Sequence, residues 1–311
     1  MAFTIEQTVN ESGVDLTTIK VKLKYPTNKF ELFAWEFCPY SLKTQLAFEY
    51  KTLEYKDLEY SINLIAPYSY SVLKELEVKT NSSVPPIVKV QYKQGIEESW
   101  INNSNALIKL LDSLYPQNQL LFAEDPKLGL EIAFLNDWIN ESFRRPFFSL
   151  LYLNKANLQR ASNKWLGNEE SIFCKIRLEL YKINKVSYYK DSFVSPELAL
   201  EAAYKRFDEE LLPLVTDKLE LSYERGNEFL TGKQLTIADL SLYSFLKQIL
   251  SLDESNLINR RSILVKFMEA VENIPLNKIP GNEKKGYTRH KISLLDRSEG
   301  SIQAKAVSLP H

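Results

Sequence analysis

The residue best placed for chemistry is Cys38, in the stretch Trp35-Glu36-Phe37-Cys38-Pro39-Tyr40-Ser41. The apolar run Phe30–Trp35 before it reads as a buried strand. Leu42, Leu46, Ala47 and Tyr50 after it share one helical face. Cys38 therefore sits where strand turns into helix, with Pro39 in the first turn, where its missing N–H costs nothing. A thiol there meets unpaired backbone N–H groups and the positive end of the helix dipole. Both favour thiolate, the reactive form. Ser41 stands where a Cys-x-x-Cys pair would have its second thiol. That excludes an internal disulfide and points to a mixed disulfide with an outside thiol.

Composition narrows the chemistry further. A net charge of −1 over 311 residues supplies no basic field for nucleic acid or anionic membrane. The longest apolar runs, such as Pro146–Leu153, are too short to span a bilayer. The two cysteines, Cys38 and Cys174, make no disulfide framework and suit a reducing compartment. His290 and His311 are the only histidines, which argues against a zinc cluster or a Cys/His pair and leaves no metal site expected. The acidic Glu6, Glu11 and Asp15 argue against a signal peptide. The cytosol is the expected compartment, with a mitochondrial address left open.

The elements that must position Cys38 follow from period and punctuation. Ile19–Tyr25 alternates like a half-buried edge strand. A compact unit then reads strand 30–35, helix 39–51, strand near 53–60, helix near 70–78, and a turn at Ser83–Pro86 running into a strand. A Gln94-Gly95 hairpin turn follows, leading into Ile96–Trp100. The helix opening at Ser104 has Ala106, Leu107, Leu110, Leu111 and Leu114 on its inner side. This is an α/β unit with a mixed sheet. Beyond Tyr115-Pro116 the period is helical throughout, with Leu128, Ile132, Leu135 and Ile139 on one stripe. Ser195-Pro196 starts a helix that Pro213 is expected to kink. Thr236 and Asp239 spell a capping box, stapled by Leu235 and Leu240, so Asp239 is read as structural. Cys174, among Ile172, Phe173 and Ile176, reads as core or half-buried, and Arg144-Arg145 as a solvated pair.

Taken in order, Phe37–Ser41, Val84-Pro85, Asn103-Ser104 with Leu114-Tyr115-Pro116, and Thr236–Asp239 resemble the glutathione transferase superfamily over about residues 29–275. The resemblance is to its omega-like and glutaredoxin-like cysteine branch. Within the superfamily the chain is also similar to dehydroascorbate reductases and to the membrane-associated prostaglandin E synthase type two group. It implies a thioredoxin-like α/β domain followed by an all-α domain. The expected division is an extension (1–28), the thioredoxin-like domain (29–115), a linker (116–122), the helical domain (123–280) and a flexible tail (281–311). It further implies glutathione as co-substrate, with Cys38 as the catalytic thiol. Tyr40, Val84, Pro85, Asn103 and Ser104 would be the glutathione contacts. Val84 would pair its backbone with the cysteinyl part, Pro85 would be a cis-proline, and Ser104 would hold the γ-glutamyl carboxylate at a helix N-terminus. Asn103 departs from the pattern, because an acid is usual there, and Asn103 and Ser104 can also be read as helix caps alone.

The resemblance leaves three functions open. The first is glutathione-dependent thiol transfer, conjugation or reduction on a small hydrophobic or disulfide co-substrate. The second is a non-catalytic assembly role for the same fold, and the third an isomerase acting on a lipid peroxide. It also implies a homodimer, although no residue specifies the contact.

Overall fold

The computed structural model describes residues 8–9, 15–16, 29–55, 58–92, 98–121, 125–167, 172–189, 195–252 and 254–274. The expected strand at 19–25, the Gln94-Gly95 turn and the tail at 281–311 lie outside these residues. Two short strands, β1 (Thr8–Val9) and β2 (Asp15–Leu16), pair antiparallel near the N-terminus.

The sheet that positions Cys38 has the order β4-β3-β5-β6. Its strands are β3 (Lys29–Ala34), β4 (Glu59–Leu64), β5 (Ile87–Gln91) and β6 (Glu98–Ile101). β3 runs parallel to β4, with Phe30 opposite Tyr60 and Leu32 opposite Ile62. β5 lies antiparallel to both β3 and β6. Phe30, Leu32 and Ala34 alternate inward along β3 and are fully or almost fully buried, as a two-residue period requires. The expected strand at 53–60 falls later, at Glu59–Leu64. Helix α1 (Pro39–Thr52) runs on through Thr52 and closes at Leu53, leaving the alternating Leu58–Leu64 segment to pair with β3.

Helices α2 (Tyr70–Thr80) and α3 (Ser104–Leu114) complete this layer. The buried face of α3 is Ser104, Leu107, Ile108, Leu111 and Asp112, so Ile108 takes the inner place expected of Ala106 and Leu110. Helix α1 ends on a buried ion pair. Lys51 Nζ lies 2.7 Å from Asp112 of α3 and donates to the carbonyls of Tyr115, Gln117 and Asn118. Asp112 in turn accepts from the N–H groups of Leu120 and Leu121. This knot fixes the chain where it leaves the α/β layer.

The rest is helical: α4 (Pro126–Leu153), α5 (Lys155–Leu166), α6 (Ile172–Tyr189), α7 (Pro196–Lys205), α8 (Leu212–Glu224), α9 (Ile237–Ser251), α10 (Asn256–Asn259) and α11 (Ser262–Asn273). The expected kink falls just ahead of Pro213, as a π-helical turn at Arg206–Leu211 between α7 and α8. Pro213 has no N–H for the carbonyl one turn back, and the wider turn absorbs that loss. The capping box at α9 forms. Asp239 accepts from Thr236 N at 2.9 Å, Thr236 Oγ1 at 2.6 Å and Leu230 N at 2.8 Å. Cys174 is half-buried, while its neighbours Ile172, Phe173 and Ile176 are exposed. No helix among the described residues is long and apolar enough to cross a membrane. A thioredoxin-like α/β layer followed by an all-α layer is the architecture, and α1 packs against α9 where the two meet.

Candidate functional site

Cys38 is the N-cap of α1, in extended conformation, with its carbonyl accepting from Leu42 N–H at 3.1 Å. The turn ahead of it is strained. Phe37 has φ +58°, in the left-handed region that non-glycine residues occupy at a cost of about 1 kcal/mol. Its ring is buried with an edge-to-face contact on Trp165, and that packing holds the turn. The side chain of Ser41 accepts from Trp35 N–H at 3.2 Å, tying the helix back to the end of β3.

Cys38 lines a cavity of about 710 Å³ where the α/β layer meets α4 and α6. The size falls within the range of roughly 300–1,000 Å³ for small-molecule sites. All of the residues expected to form the site line it: Tyr40, Val84, Pro85, Asn103 and Ser104, together with Cys38. Asp137, Asn140 and Arg144 of α4 form one wall, and Phe148, Tyr152, Tyr188 and Tyr189 an aromatic end. The rings of Tyr152 and Tyr189 stack at 5.3 Å, and Phe148 stacks on Tyr152 at 6.0 Å.

Several expectations change at the level of single atoms. Cys38 is only 4% exposed, and burial pushes its thiol above the usual range. Hydrogen bonds from Ser41 and Tyr40 and the charge of Lys43 pull the other way without winning. The thiolate expected from helix position alone is therefore not the resting form, because loss of water costs the charge more than the helix end returns.

The cis peptide bond joins Pro85 to Pro86, so the cis-proline is Pro86 and not Pro85. The residue ahead of it, Pro85, has no N–H to offer, and the Val84 N–H donates to Ser82 Oγ at 3.2 Å. A free Val84 N–H for strand-like pairing was expected and is not found.

Asn103 caps α3, its Oδ1 accepting from Asn105 N at 2.8 Å and Ala106 N at 3.1 Å. That oxygen is thereby committed to the helix. Ser104, only 9% exposed, lines the cavity and makes no hydrogen bond among the described residues. Tyr40 presents its ring to the cavity, but its hydroxyl donates to the Asn140 carbonyl at 2.9 Å.

Behind the wall lies a polar ring that the apolar periodicity did not reveal. Lys43 of α1, 1% exposed, donates to Asn105 Oδ1 at 2.9 Å and Asn140 Oδ1 at 3.4 Å. Asn140 Nδ2 donates to Asn136 Oδ1 at 3.0 Å, and Asn136 Nδ2 to Asp137 Oδ1 at 3.0 Å. Asn105 Nδ2 also reaches Asp137 Oδ1, at 3.5 Å. Burial brings the Lys43 ammonium down to about 7, against the opposing pull of Asp137 and Cys38. The sequence signal for this ring was Asn136 and Asn140, one turn apart on the buried face of α4.

Residues 183–279 match the sequence profile of the family described as glutathione S-transferase, C-terminal domain. No curated protein matches the sequence. Among solved structures, FzlA from C. crescentus is similar at 15% identity and a TM-score of 0.55, over 81% of this chain and 94% of its own. A glutathione S-transferase from Rhodospirillum rubrum F11 is similar at 16% identity and a TM-score of 0.53, over 79% and 89%. Glutathione transferase F7 from Populus trichocarpa is similar at 11% identity and a TM-score of 0.53, over 80% and 96%.

Proposed function

The chain has the glutathione transferase fold, and on that premise we propose that it binds glutathione in the cavity between its layers and transfers thiols through Cys38. One observation carries the reading: Cys38 and the unpartnered Ser104 hydroxyl line the same cavity, at the N-termini of α1 and α3. The γ-glutamyl carboxylate is assigned to Ser104 at the N-terminus of α3, where the positive end of the helix dipole favours an anion. The glutathione sulfur then points to Cys38, and the aromatic end takes an apolar co-substrate group.

Cys38 first gives its proton to solvent, and the thiolate then attacks a glutathione-containing disulfide, forming the Cys38–glutathione bond as the other sulfur leaves as a thiolate. A second glutathione thiolate then attacks the mixed disulfide, releasing glutathione disulfide and restoring Cys38. In balance, one free glutathione thiol is oxidised into glutathione disulfide and the other half of the substrate disulfide leaves as a reduced thiol. Tyr40 acts as a wall of the site in this reading, because its proton is engaged with Asn140.

The test is intact-mass measurement after incubation with glutathione disulfide. A single adduct, absent in Cys38→Ser, is expected. If an alkylating agent modifies Cys38 while glutathione disulfide does not, thiol transfer is wrong. A second reading, a binding or assembly role without turnover, draws on the burial that holds the Cys38 thiol protonated. It predicts glutathione binding with no adduct at any pH up to 9.

A further inference from the structure

Glutathione ends in an α-amino acid head, so a site that recognises it must meet an ammonium as well as a carboxylate. Asn103 cannot supply the acceptor, since its Oδ1 already takes two N–H groups of α3. Among the cavity-lining residues the carboxylates are Asp137 and Glu141, one turn apart on α4. Glu141 shares its charge with Arg144, 3.8 Å away. Asp137 has no cation in contact among the described residues, and the Lys43 ammonium acts on it only through space. Its Oδ1 is held by the amides of Asn136 and Asn105, and its Oδ2 makes no hydrogen bond among the described residues.

Asn105 directly follows Ser104, so its contact with Asp137 brings that carboxylate beside the start of α3. Ser104 itself is nine-tenths buried, unpartnered and turned into the same cavity. We infer that Asp137 is the ammonium acceptor of this site, so that Ser104 and Asp137 together grip the two charged ends of a γ-glutamyl head. This rests on the glutathione reading above and assigns the charge that Asn103 lacks. The two neutral amides on Oδ1 fix the carboxylate without neutralising it, leaving its charge for the ligand.

The experiment is calorimetric titration of the full chain with glutathione and with glutaryl-cysteinyl-glycine, which differs only in lacking the amino group. The unaltered protein should prefer glutathione by about ten- to a hundredfold, the worth of a charge-assisted hydrogen bond. Asp137→Asn should weaken glutathione alone and bring the ratio close to one, while Glu141→Gln should leave it in place. Each protein carries its own control in the second ligand, so a fold defect cannot mimic the result. Equal binding of both ligands by the unaltered protein, or a ratio that survives Asp137→Asn, overturns the assignment and leaves the glutathione reading standing. Failure to bind either ligand overturns both.

Discussion

Helix α1 carries two buried lysines, eight residues apart, with opposite surroundings. Lys51, fully buried, meets the Asp112 carboxylate at 2.7 Å and three backbone carbonyls. Burial pulls its ammonium below the usual range, and the carboxylate and carbonyls hold the charge in place against that pull. Lys43 donates to the amide oxygens of Asn105 and Asn140 with Asp137 acting on it only from a distance, and its titration falls to about 7. The first lysine joins the α/β layer to the outgoing chain. The second stands behind the wall of the cavity, beside Cys38. A buried charge with a carboxylate in contact is architecture, whereas one whose direct partners are neutral amides stays poised to exchange its proton.

The largest effect that would break this comparison is at Lys51. Lys51→Met leaves Asp112 buried without its cation and should cost about 3–5 kcal/mol in denaturant unfolding. A loss below about 1 kcal/mol would put the two lysines in one class. Next comes pH. At pH 6 Lys43 is protonated in both folded and unfolded chains. Between pH 7 and the unfolded lysine's 10.5 the native protein gives up the proton first. Over that window the unaltered protein should gain stability relative to Lys43→Met, at no more than about 1.4 kcal/mol per pH unit. A flat difference between the two would place Lys43 with the fully paired charges.

Two smaller effects concern Cys38. Its raised thiol predicts that the rate of alkylation climbs about tenfold per pH unit from pH 7 to 9, following the thiolate fraction. A plateau already at pH 7 would mean that the helix end outweighs burial. Removing the Lys43 charge, the weakest of the influences that lower the Cys38 thiol, should slow alkylation by roughly twofold at pH 6, where Lys43 is protonated, and leave the rate at pH 9 unchanged.

The legible parts of this protein were those written in short stretches. The β3–α1 turn at Cys38, the α3 start at Ser104 and the Thr236–Asp239 box each depend on residues within a few positions of one another. The π-helical turn before Pro213 was visible only as a break, since the way a helix absorbs a proline depends on what packs around it. Asp137 and Lys43 stayed hidden because their roles arise from partners on other elements. Asn105 lies 32 residues before Asp137, and Asn140 lies 97 residues after Lys43. The aromatic end was present in the sequence as scattered Phe and Tyr, without a period to join Phe148 and Tyr152 to Tyr189.

Local chemistry alone thus determined the order of strands and helices, the capping residues and the place of the thiol at a helix start. Backbone geometry and side-chain period act over one or two turns, and the neighbours in the chain suffice to set them. Tertiary structure decided the protonation of Cys38, the amide surroundings of Lys43 and the meeting of Asp137 with Asn105 at the start of α3. Each of these turns on which distant group takes the place of water, and that is settled only when the two layers close on one another.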